Sequence, residues 1–285
     1  MGQPVPPPAG IKGAGRLGAR KSLPRTEPVM ERAPENLNGH MFFGLAKTMD
    51  DDQRRFRDAI WEAGTGKGNK LIFVNSKAGT GKTTIAVATS MLLIEYGILD
   101  RIIYLSAAGT FEGKQGYLPG DLAMKSQYYA MPCVQALLKI GKDPMRVVDY
   151  GGMMDSGASD AVVYCMTDTF LRGVNLNGPD RGERTALIVD EAENYTAERL
   201  KTVLTRFNDD GGVCIVIGHD EQCDLPGYEQ SGFALYRKHF EASGLATYCE
   251  LTKNYRGKIA TYADELPTTR GKHERNHIKK AAGGD

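Results

Sequence analysis

LIFVNSKAGTGKTT, residues 71–84, is the stretch on which the fold turns. Leu71, Ile72, Phe73 and Val74 are apolar, rich in β-branched and aromatic character, the composition of a buried strand. A loop of small residues follows, through Gly81. From Lys82 onward the apolar positions recur at helical spacing, Ile85 through Leu92. Strand, glycine loop and helix form the context in which AGTGKT reads as a triphosphate site. Small residues let backbone N–H groups close around phosphates, and the helix N-terminus adds the positive end of its dipole. The candidate phosphate-binding residues are Ser76, Lys77, Ala78, Gly79, Thr80, Gly81, Lys82, Thr83 and Thr84. Lys82 is placed to reach the β- and γ-phosphates of ATP, and Thr83 to ligate Mg²⁺. One position departs from the ideal: Ser76 stands six residues before the lysine, where glycine is expected. A second glycine run, Gly64-Thr65-Gly66-Lys67, has no strand before it and reads as a turn.

The flanking segments extend this unit. Residues 50–63 read as a helix with an acidic first turn and Phe56, Ile60 and Trp61 on its apolar side. Gly97 reads as a C-cap of the loop helix, and residues 101–105, RIIYL, as the next strand. Strand, helix and strand at this spacing predict a βαβ unit and a mostly parallel sheet. Residues 124–140 read as a helix broken or kinked at Pro132, and residues 161–165 as a strand.

A second chemical landmark is ALIVDE, residues 186–191. An apolar strand ends in two carboxylates at the sheet edge where ligands collect in α/β proteins. Asp190 is positioned to hold Mg²⁺, and Glu191 to polarise an attacking water. Thr196 reads as the N-cap of a helix over 197–207, and residues 213–217 as another buried strand. Gln222 lies just past that strand, where it could sense a γ-phosphate. A last strand over 245–251 and a last helix over 259–266 flank Arg256, a loop arginine within reach of the site.

Composition sets the outer bounds. The chain has 285 residues, 41% hydrophobic and 25% charged, as in ordinary globular proteins. Its net charge of +1 is unevenly spread. Residues 1–40 carry six Lys/Arg against three Glu, and residues 266–285 five against two, leaving 25 bases against 30 acids between them. Basic tails suit nucleic-acid phosphates or simple solvation. The proline-rich 1–40 segment is expected to be disordered, residues 41–265 to form one domain, and 266–285 a flexible tail. Five cysteines, without a Cys-x-x-Cys pair, suggest neither a disulfide framework nor a zinc ribbon and suit a reducing cytoplasm. No run reaches transmembrane length, no apolar signal core opens the chain, and Pro6 occupies the Ser/Thr position of a myristoylation signal. His273-Glu274-Arg275-Asn276-His277 matches the zinc-peptidase spacing, but in a basic polar tail without an apolar face it reads as solvated chain.

With these landmarks in order, the chain resembles the PhoH-like ATPases, relatives of the superfamily 1 helicase core. AGTGKT is shared by many families. GYLPGDL (116–122), FLRGVNL (170–176), VDEAENYT (189–196), LTRF (204–207) and GHDEQCDLP (218–226) are more specific, and the resemblance runs from about residue 48 to 265. It implies a RecA-like α/β P-loop NTPase core with helices on both faces. It also implies an adenine-reading role for Gln53, a phosphate-sensing role for Gln222 and a phosphate-approaching role for Arg256, in its own chain or across a subunit boundary. Arg172 and Arg206 become candidates for phosphate or nucleic-acid contact. The chain departs from the family pattern at Ser76, at Glu193, where glutamine is usual, and at His219, where aspartate is. It also lacks an Arg-Pro pair before GYLPGDL. It looks like a divergent member, of the kind bacteriophages carry. The implied activity is Mg²⁺-dependent ATP hydrolysis coupled to RNA or single-stranded nucleic acid, in a homo-oligomer such as a hexamer. The competing expectation is a nucleotide-gated module that regulates a partner such as a nuclease, with little or no turnover.

Overall fold

The computed structural model describes residues 32–107, 122–149, 161–167, 183–219 and 230–264, together with Cys223 and Leu225. Gln222, Arg172, the FLRGVNL run, nearly all of GYLPGDL, residues 1–31, residues 265–285 and with them the His273–His277 spacing lie outside them.

Seven strands form one sheet: β1 (Leu71–Ser76), β2 (Arg101–Ser106), β3 (Val148–Asp149), β4 (Val163–Thr167), β5 (Thr185–Asp190), β6 (Val213–Gly218) and β7 (Ala246–Leu251). Their order is β3-β4-β2-β5-β6-β1-β7, and every pairing is parallel. All carboxyl ends therefore reach one edge. The phosphate loop leaves β1 there, and one strand over but one, Asp190 closes β5. Every residue of β2, β5 and β6 is buried, as expected of strands covered on both faces.

The period of two divides β1 between two cores. Ile72 and Val74 join the cluster under α1 (Asp51–Gly64), α2 (Lys82–Glu95) and α3 (Leu122–Lys139). Phe73 faces the opposite cluster, under α5 (Ala197–Leu204) and α6 (Gly232–Glu241). α2 is buried continuously from Ile85 to Leu93, because α1 and α3 flank it and the sheet lies beneath. The short α4 (Pro144–Val147) and the terminal α7 (Lys258–Asp264) complete the α-helices among the described residues. This is the RecA-like α/β core that the sequence predicts.

Local chemistry sets the helix ends. Asp50 caps α1 by accepting from the Gln53 N–H at 2.8 Å, while Gln53 Oε1 accepts from the Asp50 N–H at 3.2 Å, a complete capping box. Gly97, at φ +65°, ends α2, and the Ile98 N–H donates back to Leu93 O at 2.8 Å. Thr196 caps α5 through the Arg199 N–H, as expected, though α5 stops at Leu204. Pro132 does not end α3: the helix runs through it as one 18-residue element. The described chain packs upstream of Met41, with Leu37 only 1% exposed and the Trp61 Nε1–H donating to Pro34 O at 3.3 Å. Burying a side chain of that size contributes about 1.5–3 kcal/mol. Among the described residues, no helix is long and apolar enough to cross a membrane.

Candidate nucleotide site

The phosphate loop turns on two glycines. Gly79 and Gly81 have φ of +79° and +84°, left-handed values that suit glycine. Gly81 is also the N-cap residue of α2, so the first N–H groups of that helix face the cavity rather than a side-chain cap. Thr80 is buried, and its hydroxyl donates to Lys77 O at 3.1 Å, bracing the turn.

Two neighbouring segments hold the loop in place. Gln53 Nε2 donates to Thr80 O at 2.7 Å, so with its capping bond both ends of this amide are engaged. On the other side, the strand-to-helix linker after β7 lies over Gly79. The Tyr255 N–H donates to Gly79 O at 2.9 Å. The Tyr255 hydroxyl donates to Asp50 Oδ2 at 2.8 Å, and the Thr252 hydroxyl to Asp52 Oδ2 at 3.1 Å. A Cβ built on Gly79 would lie 2.8 Å from Arg256 Cγ and 3.0 Å from its Cδ, so the arginine stem packs on the loop of its own chain.

Asp190 is the electrostatic centre. Its Oδ2 accepts from the Thr83 hydroxyl at 2.7 Å and from the Tyr104 hydroxyl at 2.7 Å, and its Oδ1 accepts from the Glu191 N–H at 3.0 Å. The parallel register explains Tyr104: β2 pairs with β5 so that Ser106 lies opposite Asp190, with Tyr104 two residues back. Burial, and then the Asp190 charge, push the Tyr104 phenol well above its ordinary range, which keeps it a donor. Glu191 follows in the left-handed region at φ +53°, a strained backbone for a non-glycine residue beside a candidate active site. It is exposed, and it lines the cavity.

Glu193 is different. It is 4% exposed, and its Oε2 accepts from the His219 N–H at 3.2 Å. Burial raises its carboxyl to about 7; Lys82 opposes that rise, while Asp190 and Glu191 add to it.

The structure brings most of the candidate residues together. Gln53, Ala78, Gly79, Gly81, Lys82, Thr83, Thr84, Asp190, Glu191 and Arg256 line one cavity of about 590 Å³, within the range of small-molecule sites. Ser76 and Lys77 instead line a neighbouring cavity of about 370 Å³, with His219 and Asn254. Ser76, 2% exposed, has a hydroxyl without a hydrogen-bond partner among the described residues. Sequence reasoning missed Tyr104, Asp50, Tyr255 and the walls formed by Leu45, Met49 and Gln135. Only Tyr255, next to Arg256, carried a signal that could have found it.

Fold and site together define a P-loop NTPase with a RecA-like core. The chain belongs to the PhoH-like protein family, whose family model matches residues 46–261. It is 33% identical over 181 residues to a PhoH-like protein of Mycobacterium leprae, covering 64% of this chain and 46% of that one. It is 32% identical over 173 residues to Protein PhoH of Escherichia coli K12, covering 60% and 45%. It thus spans about half the length of these relatives. The UvsW helicase of bacteriophage T4 is similar in fold, with a TM-score of 0.44 and 14% identity over 72% of this chain and 60% of the helicase. A likeness that distant carries no functional weight.

Proposed function

We propose that this chain binds ATP with Mg²⁺ and hydrolyses it, and that RNA or single-stranded nucleic acid couples to that turnover. One observation carries the reading: the Thr83 hydroxyl and the Asp190 carboxylate converge at 2.7 Å in the cavity that Lys82 and Glu191 also line. Two oxygen donors at a helix N-terminus suit a hard cation of the Mg²⁺ type. When bound, Mg²⁺ supplies positive charge against the phosphate oxygens.

The remaining roles belong to the chain. Lys82 pairs with the β- and γ-phosphates, and the loop N–H groups from Ala78 to Thr84 donate to them. Glu191 orients a water and accepts its proton. Tyr104 and the Glu191 N–H hold the Asp190 carboxylate in one orientation. Gln53 keeps a second Nε2 hydrogen and a second Oε1 lone pair with which to read adenine while it braces the loop. The Arg256 stem against Gly79 favours action within its own chain, and Gln222 senses the γ-phosphate. The basic termini attract the nucleic acid. The chain assembles as a homo-oligomer, tested for a hexamer by light scattering with ATP and Mg²⁺, and acts in the cytoplasm, where its five free cysteines stay reduced.

A second reading has a specific observation in its favour. The buried Glu193 carboxylate lies close enough to Lys82 to share its field and so competes with phosphate for that lysine. That suits a nucleotide-gated module regulating a partner such as a nuclease. Measuring ATP turnover with and without RNA, in wild type and Lys82→Ala, separates the two. RNA-stimulated turnover that Lys82→Ala abolishes supports the ATPase. Nucleotide binding without turnover supports the module.

A further inference from the structure

Glu193 is a charge in a place where a neutral amide would do. The hydrogen bond from the His219 N–H to its Oε2 would be accepted equally well by a glutamine carbonyl. A carboxylate that is 4% exposed is costly to ionise, so its charge needs another reason. The charged and titratable groups around it come from each element packed there. Lys82 at the start of α2 lines the same cavity, Asp190 and Glu191 end β5, and His219 follows β6. Cys223 donates its thiol to Glu193 O at 3.2 Å. From α6, the uncharged Gly232 abuts Tyr195 and Thr196, and its N–H donates to Tyr195 O. Lys139 and Arg256 also line that cavity, and Lys82 is the cation whose field opposes the rise of the Glu193 carboxyl.

We propose that Glu193 is a proton-linked counter-charge to Lys82: ionised while the lysine is its neighbour alone, it takes one proton from solvent when a nucleotide's phosphates claim that lysine. The inference rests on the nucleotide site proposed above. Phosphates entering the cavity draw off the cationic field that, with a backbone hydrogen bond, favours the ionised carboxylate, and they add negative charge of their own. The carboxyl of the nucleotide-free protein sits at about 7, raised chiefly by burial. Phosphates raise it further, so binding takes up a proton in the window just above neutrality and none well below it. The protonated carboxyl keeps an oxygen for the His219 N–H, so the link to the end of β6 survives the change.

Calorimetric titration of the full chain with Mg·ADP, in two buffers of different ionisation enthalpy at pH 6 and pH 8, reads this directly. Wild type is expected to take up close to one proton at pH 8 and close to none at pH 6, with affinity falling toward about tenfold per pH unit above neutrality. Glu193→Gln is expected to bind at both pH values with no uptake and no such fall. Equal uptake in wild type and Glu193→Gln, or equal uptake by wild type at the two pH values, overturns the proposal. The wild-type comparison decides alone if the variant does not fold. Absence of Mg·ADP binding at either pH overturns instead the nucleotide site itself.

Discussion

Gly79 sits where the phosphate loop meets the linker from β7, and replacing it with alanine tests both. At φ +79° an alanine costs about 1–2 kcal/mol in backbone strain. Its Cβ would also lie 2.6 Å from Asn254 Oδ1 and 2.8 Å from Arg256 Cγ, so the linker must move. The Tyr255 N–H then loses Gly79 O, a further contribution of about 1 kcal/mol. The sum is about 2–3 kcal/mol. Gly66 provides the control: its φ is +82°, and nothing lies within 4 Å of its Cβ position, so Gly66→Ala carries only the backbone strain. Thermal unfolding should drop by about 2–4 °C per kcal/mol for a chain of this size. Gly79→Ala should therefore fall several degrees below Gly66→Ala. Added Mg·ADP should stabilise Gly66→Ala as it does wild type, and Gly79→Ala much less. Equal melting temperatures for the two variants, or an undiminished nucleotide shift in Gly79→Ala, would refute the linker's role.

Other outcomes follow from the same geometry. Tyr104→Phe removes a hydrogen bond to the buried Asp190 carboxylate and should lower stability by about 1.5–3 kcal/mol in denaturant titrations, with the helical signal unchanged. Folding raises Glu193 from its ordinary 4.5 to about 7, so the native state holds the extra proton and stability falls as pH rises through that window. Glu193→Gln should lack this loss, on the order of 3 kcal/mol, and gain on wild type above neutrality in unfolding scans across pH. Burial pushes Cys214 up to about 12 and Cys249 up to about 11, while a hydrogen bond with Cys165, and then burial, raises Cys133. Thiol alkylation of the folded protein at pH 8 should therefore favour the half-buried Cys223, while denaturant exposes all five; rapid native labelling of Cys214 would contradict the packing of β6.

Much of the fold is legible in local sequence. β1, the loop and α2 announce themselves because strand composition, glycines and helical spacing fall in one run. Asp190 is legible only in company: an Asp-Glu pair closing an apolar strand is common by itself, and the phosphate loop upstream gives it meaning. The family model from residue 46 to 261 bears out the resemblance read from motif order. What local sequence does not carry is register between distant strands. Tyr104 and Asp190 are 86 residues apart, and only the β2–β5 alignment joins them. Tyr255 and Asp50 are 205 apart. α6 gave no expectation, because its mixed YRKHFE face lacks a clean apolar stripe, yet Phe233 is fully buried against Gly218. Pro132 suggested a break or a kink in α3; the helix is not broken there and continues through it. The burial of Glu193 is invisible in sequence for the same reason: it depends on where β6 ends.

The central claim is that Lys82, Thr83, Asp190 and Glu191 form one hydrolytic site. Phosphate release by Glu191→Gln beside wild type, with Mg²⁺ and saturating ATP, tests it most directly. The account predicts steady turnover in wild type, a loss of about 10²-fold or more in the variant, and nucleotide binding retained in both. Turnover undiminished in Glu191→Gln would contradict it.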